Sequence, residues 1–209
     1  MNYRCEALAL GIGNILWADE GFGVRAIEAL HATYVFPGTV RLIDGGTQGL
    51  YLFPLIAAAR RVLVLDAVDF GLAPGSLKVL RDAEVPTWSC GKLSPHQTGF
   101  NDVLALAALR GEAPEAITLI GVQPEVLADL GGSLRDPVRA RIADAVELAA
   151  SELSSWGFPG TRRGGRDFAP LNAQALDIEA YEAGRPSEVD ACRIGDARVL
   201  ARGRPQREA

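Results

Sequence analysis

The chain is poor in the residues that build ordinary metal enzymes and disulfide scaffolds. Its 209 residues include three cysteines and two histidines. Cys5, Cys90 and Cys192 are far apart and odd in number, which argues against a disulfide framework or a CxxC zinc site. Two histidines exclude a three-histidine metal site and the HExxH pattern of zinc proteases. Basic residues are outnumbered, with 21 Lys and Arg against 26 Asp and Glu and a net charge of -5. No global basic field is therefore available to attract nucleic acid. Long hydrophobic runs are missing too. The longest, Leu50 to Ala59, is about half of what a membrane-spanning helix needs and contains Pro54. The N-terminal run is broken by Glu6 and has no secretory core segment. The expectation is a cytoplasmic protein with reduced thiols and no membrane insertion.

What is present suits a compact core, since 48% of the residues are hydrophobic. The length fits one domain, with room for an appendage. Ala7–Gly11, Val40–Ile43, Val62–Leu65 and Ile117–Val122 read as buried strands, and Leu77–Leu80 could be another. Helical spacing links Gly23, Ala26, Ile27, Leu30 and Tyr34. It recurs at Phe100, Val103, Leu104, Ala107 and Ala108, with Thr98 a candidate cap, and in a long closing helix from Val138 to Leu153. Leu50–Ala59 reads as a helix with Pro54 in its first turns, and Val85–Gln97 as a loop.

Strands alternating with helices predict an α/β fold: a three-layer sandwich, with a mostly parallel twisted sheet and helices on both faces. This domain spans residues 1–158, and a thinly hydrophobic tail follows over 159–209. The tail opens on the linker-like Thr161-Arg162-Arg163-Gly164-Gly165-Arg166. In it, Phe168, Leu171, Leu176, Ile178 and Tyr181 could lay one short helix on the core, and 194–197 could turn a small hairpin.

In an open parallel sheet, ligands bind outside the carboxyl ends of the strands. The polar residues expected there are Asn14, Asp19 and Glu20, then Asp44, then Asp66 and Asp69, then Ser94, His96 and Gln97. Glu20 lies four residues before Val24 and seven before Ile27, so it follows the inward side of its helix, where an acid needs a cation, a donor or a ligand. Asp66 ends a wholly apolar strand; it could cap the following turn or bind a ligand. Asp69 reads as a turn residue and His31 as a structural histidine near a helix end. Asp44 precedes two glycines and could bond its own turn, or the glycines could admit a close backbone approach. Glu20, Asp66 and His96 together form a two-carboxylate, one-imidazole set suited to a borderline divalent ion such as nickel or zinc, with positions left open.

A dinucleotide site is the competing reading, because Gly11-Ile12-Gly13 follows a strand and Asp44 ends the next. Leu16 replaces the third glycine, and Asp19 and Glu20 would repel a pyrophosphate. Nucleophilic catalysis has little support: there is no GxSxG elbow, and nothing orients Cys90 against His96.

Several motifs in order carry a resemblance. Gly11-Ile12-Gly13-Asn14-Ile15-Leu16 with Asp19-Glu20-Gly21-Phe22-Gly23, then Ile43-Asp44-Gly45-Gly46-Thr47, Leu65-Asp66-Ala67-Val68-Asp69, Ser94-Pro95-His96-Gln97 and Gly121-Val122-Gln123-Pro124-Glu125 resemble the hydrogenase maturation endopeptidases over roughly residues 5–155. The resemblance implies removal of a C-terminal extension from the precursor large subunit of a nickel–iron hydrogenase after nickel insertion. The metal-contacting residues would be Glu20, Asp66 and His96, reading nickel that the precursor brings. Asp44 matches a family aspartate implicated in activity, so Asp44 and Glu20 are the candidate catalytic bases. Gln48-Gly49-Leu50-Tyr51 resembles the branch serving membrane-associated uptake hydrogenases. The expected partner is that precursor, with the enzyme acting as a monomer. A chaperone that senses nickel in the precursor without cutting it, and a nucleotide-binding oxidoreductase, are the alternatives.

Overall fold

A computed structural model describes residues 5–85, 95–165 and 168–185, with the backbone alone of 95–99. Ser94, Cys90, Cys192 and the hairpin expected at 194–197 lie outside the described residues, as does the side chain of His96.

The sheet consists of β1 (Cys5–Ile12), β3 (Val40–Gly46), β4 (Ala59–Ala67), β6 (Ala116–Val122) and β5 (Leu77–Arg81). Their order is β3-β1-β4-β6-β5. The first four are parallel and β5 runs antiparallel at the edge. Side-chain alternation divides the core into two layers. Ala7, Ala9, Leu63, Leu65, Ile120 and Val122 pack beneath α1 (Phe22–Thr33) and the C-terminal helix Ile142–Ser155. Leu8, Leu10, Val62, Val64 and Leu119 face α2 (Phe53–Ala57) and α3 (Pro95–Leu109). This is the three-layer sandwich the alternation of elements predicts. Apolar strands buried on both faces are what a parallel sheet requires.

Three local readings differ. The segment after Gly49 is a 3₁₀ turn, Gly49–Leu52, followed by a short α2, and β4 already begins at Ala59. The helix expected from Thr98 begins at Pro95, so His96 stands in its first turn and not in a loop. Proline is well tolerated there, because the first helical N–H groups have no partner within the helix. The long closing helix is broken. A short α4 (Asp136–Arg139) ends two residues before α5 (Ile142–Ser155).

Beyond α5, Thr161–Arg162 forms β7, which pairs antiparallel with β2 (Tyr34–Val35) at the end of α1. The linker-like composition of 161–166 therefore begins with ladder pairing. Arg163 Nε donates to the His31 carbonyl at 2.7 Å, and its guanidinium lies 4.6 Å from the Phe168 ring centre. His31 meets Phe168 edge-on at 5.6 Å and lies 3.0 Å, through Nε2, from the Ala169 carbonyl oxygen. The structural role expected of His31 is thus to hold the tail. Leu171 and Ile178 add to the α1-side core, and α6 (Ile178–Ala183) is capped by Asp177, whose carboxylate accepts from the Glu179 and Ala180 amides.

Candidate functional site

The strand order reverses direction at β1. The chain leaves β1 towards β3 on one side and returns to β4 on the other. The carboxyl edge of the β1–β4 pair is therefore the topological switch point, the expected place for a ligand. The loop from Gly13 to Gly21 crosses it. Gly13 has φ +133, and a Cβ there would sit 1.8 Å from the Glu20 carbonyl oxygen. At Gly23 a Cβ would come within 2.1 Å of the Leu65 oxygen and 2.2 Å of the Ile12 oxygen. These two glycines let the start of α1 press directly onto the ends of β1 and β4, beside Asp66.

Within this loop Ala18 is buried at a positive φ of 42°. A side chain in that region stores strain and persists when its surroundings dictate it. The next residue supplies the constraint. Asp19 is fully buried, and its carboxylate accepts from the backbone N–H groups of Glu125 (2.8 Å), Val126 (2.9 Å) and Arg135 (2.7 Å). Asp19 fastens the β1 loop to the segment after β6 and is not available at the rim. That arrangement also removes the dinucleotide reading, since the entry to α1 presents buried and partly buried acids where a pyrophosphate would need donors.

Glu20 and Gly21 complete the 3₁₀ turn Ala18–Gly21, so Glu20 precedes α1 and does not lie within it. Burial pushes the Glu20 carboxyl above the ordinary range. Asp66 is buried in β4 and accepts the Ala67 N–H at 2.8 Å. By alternation it shares the face of Val62 and Val64, the side on which α3 and His96 lie. Among the described side chains no group of three or more His, Cys, Asp or Glu forms a metal cluster.

Asp44 is placed differently. It is paired with Gly11 in the register of β3 and β1, just before an irregularity that sets Ile12 opposite Gly46. Gly46 takes a positive φ of 47° and donates its N–H to Asp44 Oδ1 at 2.8 Å. The aspartate does bond its own turn. Its face is that of Val40 and Leu42, the α1 side. There the second oxygen, Oδ2, accepts from Asn172 Nδ2 at 2.8 Å. The turn that carries Glu20 packs against β4, the strand that carries Asp66, whereas Asp44 is bonded to the tail.

The other motif residues build the surrounding loops. Gln123 is buried, accepts from Phe70 N–H (2.7 Å) and Leu72 N–H (3.1 Å), and donates to Asp69 Oδ1 (3.2 Å). Asp69 also accepts the Gly71 N–H at 3.0 Å, as a turn residue should. A Cβ at Gly121 would strike the Phe70 ring at 2.6 Å. Among the exposed apolar residues, Leu16, Trp17, Leu50, Tyr51, Leu72 and Leu130 lie on segments that follow the parallel strands, and Tyr51 is 86% exposed.

A family model described as hydrogenase maturation protease matches residues 24–152. The chain belongs to the hydrogenase maturation protease family. The hydrogenase expression/formation protein HoxM of Azotobacter vinelandii is 54% identical over 194 residues, covering 92% of this chain and 93% of that protein. The hydrogenase 2 maturation protease of Escherichia coli (strain K12) is 43% identical over 151 residues, covering 72% of this chain and 92% of that one. The solved structure of the hydrogenase maturating endopeptidase HybD from E. coli superimposes with a TM-score of 0.73 at 40% identity, covering 76% of this chain and 98% of that chain. This hydrogenase maturation protease therefore has the common core of its family. The HoxM protein matches it over most of its length, whereas HybD is nearly exhausted by about three quarters of it.

Sequence reasoning placed Glu20, Asp44 and Asp66 at the carboxyl edge, where they stand. It missed the anchoring role of Asp19, which looks like one more acid at a helix start. It also missed Asn172, which has no local signal because its partners lie more than a hundred residues away.

Proposed function

We propose that this protease removes a C-terminal extension from the precursor large subunit of a nickel–iron hydrogenase, of the membrane-associated uptake branch, once nickel has been inserted. Glu20, Asp66 and His96 read the nickel carried by the precursor, and Asp44 is the base. The observation that carries this reading is Asp66. It is a buried carboxylate that follows the apolar run Val62–Leu65 of β4, at the switch point, with the turn that carries Glu20 packed against that strand. Oxygen donors with an imidazole suit a borderline ion and leave sites for ligands from the substrate. An incomplete set is suited to inspecting a borrowed metal and not to keeping one.

In this reading the apolar loops around the edge seat the folded precursor. With the scissile carbonyl positioned, Asp44 takes a proton from an attacking water as its oxygen bonds to the carbonyl carbon; the tetrahedral centre then collapses, the C–N bond breaks, and the protonated Asp44 returns its proton to the departing amine nitrogen. Asp44 suits this role better than Glu20. Its direction is fixed by two donors and it need not also serve the metal.

The test is to incubate the protein with precursor, with and without nickel, and weigh the products. Loss of a C-terminal peptide with nickel alone is expected, and His96→Ala and Asp66→Asn should abolish it while remaining folded. Unchanged cleavage by both variants, or binding without any mass change, would overturn the reading.

A further inference from the structure

The C-terminal tail brings a neutral amide against the carboxylate that the proposed reaction uses as its base. Asn172 Nδ2 lies 2.8 Å from Asp44 Oδ2 and 2.7 Å from Glu28 Oε1. An amide nitrogen has two hydrogens, and here each has a carboxylate acceptor. That pairing fixes which way the amide faces, because its oxygen in the same place would oppose two acids. Behind it, Glu28 Oε2 is held by Arg25 Nη1 at 2.9 Å, and the same guanidinium nitrogen donates to the Leu176 carbonyl at 2.5 Å. Arg25 is buried, with the Tyr181 ring 5.8 Å from its guanidinium. The chain of contacts therefore runs from Asp44 through the tail and α1 and back to the tail.

We infer that Asn172 is a positioning residue for Asp44, so that the tail supplies part of this protease's active site. This rests on the assignment of Asp44 as base. Two donors, the Gly46 N–H and the Asn172 amide, pin the two carboxylate oxygens in one plane and orient the lone pairs left over. The Asn172 amide does this without bringing charge, so it neither competes for the proton nor neutralises the base. The HybD chain is almost wholly covered by 76% of this chain, and the HoxM match spans 92% of it, so the tail-borne amide falls within the match to the longer relative.

The test measures kcat and KM for cleavage of nickel-loaded precursor, with melting curves alongside. Asn172→Ala should lower kcat about tenfold, the worth of a hydrogen bond to a charged group, with KM unchanged. Asn172→Asp keeps the shape and turns the donor into a third carboxylate; its kcat should fall about a hundredfold. Glu182→Ala removes the carboxylate that accepts from Ser133 and Arg139, contacts that do not include Asp44, and should leave kcat within about twofold. Wild-type kcat in Asn172→Asp, or an equal loss in Glu182→Ala, would overturn the inference and reduce the tail to packing. Full activity in Asp44→Ala would instead overturn the assignment of the base, whatever the Asn172 variants do.

Discussion

Asp44 and Asp66 end parallel strands at the same edge of the sheet but face opposite sides of it. Asp44 shares the α1 side with Val40 and Leu42, and Asp66 the α3 side with Val62 and Val64. β1 lies between their strands. With the roles proposed above for these two acids, such an arrangement would separate recognition from chemistry.

Asp44→Asn and Asp66→Asn should consequently fail in different ways. Asp44→Asn should bind nickel-loaded precursor with near wild-type affinity and release no peptide. Asp66→Asn should weaken binding of the loaded precursor by about 10–100-fold, the usual scale for disturbing a metal contact. Affinity of each variant for precursor with and without nickel distinguishes them. Equal affinity for both variants would show that the two acids act as one unit.

Glu20 predicts an inverse relation between stability and function. Burial holds its folded carboxyl above the ordinary range, so ionisation at neutral pH opposes folding. The favourable contribution of the protonated form is present in acid and is lost as pH rises through the elevated value. Glu20→Gln should therefore melt higher than wild type at pH 7, and the gap should close as pH falls through that value. The same variant should lose nickel-dependent processing. Melting curves at stepped pH, beside a cleavage assay, check both halves.

Asp19→Ala should be among the most damaging single changes outside the apolar core. It strands three backbone donors, at Glu125, Val126 and Arg135, whose partly buried hydrogen bonds end on a fully buried carboxylate. The cost should be about 3 kcal/mol or more, a fall in Tm of roughly 6–12 °C. Hydrogen exchange at those three amides should accelerate ahead of exchange in β1 and β4. Asp19→Asn, which keeps an acceptor oxygen, should recover part of the loss.

Much of this was legible in the sequence because it is local. Apolar strands with period-breaking acids at their ends locate the sheet and its functional edge. Gly13 and Gly23 are conspicuous because no other residue fits against the Glu20, Ile12 and Leu65 carbonyls. What could not be read depends on contacts between distant segments. Asp19 and Glu20 are neighbours of the same type, yet one is sealed beneath the loop after β6 and the other is half-buried at the edge. The start of α3 falls at Pro95, inside the segment that reads as a loop, because a proline fits the first helical turn as well as it fits a loop. The tail reads as thinly hydrophobic in sequence. Its described part attaches through Leu171 and Ile178 and, beyond them, through polar and ring contacts of Arg163, Phe168, Asn172 and Glu182.

The contact between Asn172 and Asp44 spans 128 positions of the chain. Domains tend to form from the N-terminus forward during synthesis. All five strands of the main sheet are made before Asn172, and the sheet can assemble while the tail is still being translated. The amide cannot reach Asp44 until that late stretch has emerged and folded back along α1. If Asp66 and Glu20 read nickel and Asp44 is the base, a nascent chain would carry the recognising edge before it carried a fully aligned base, so competence to recognise a precursor would precede competence to cut one.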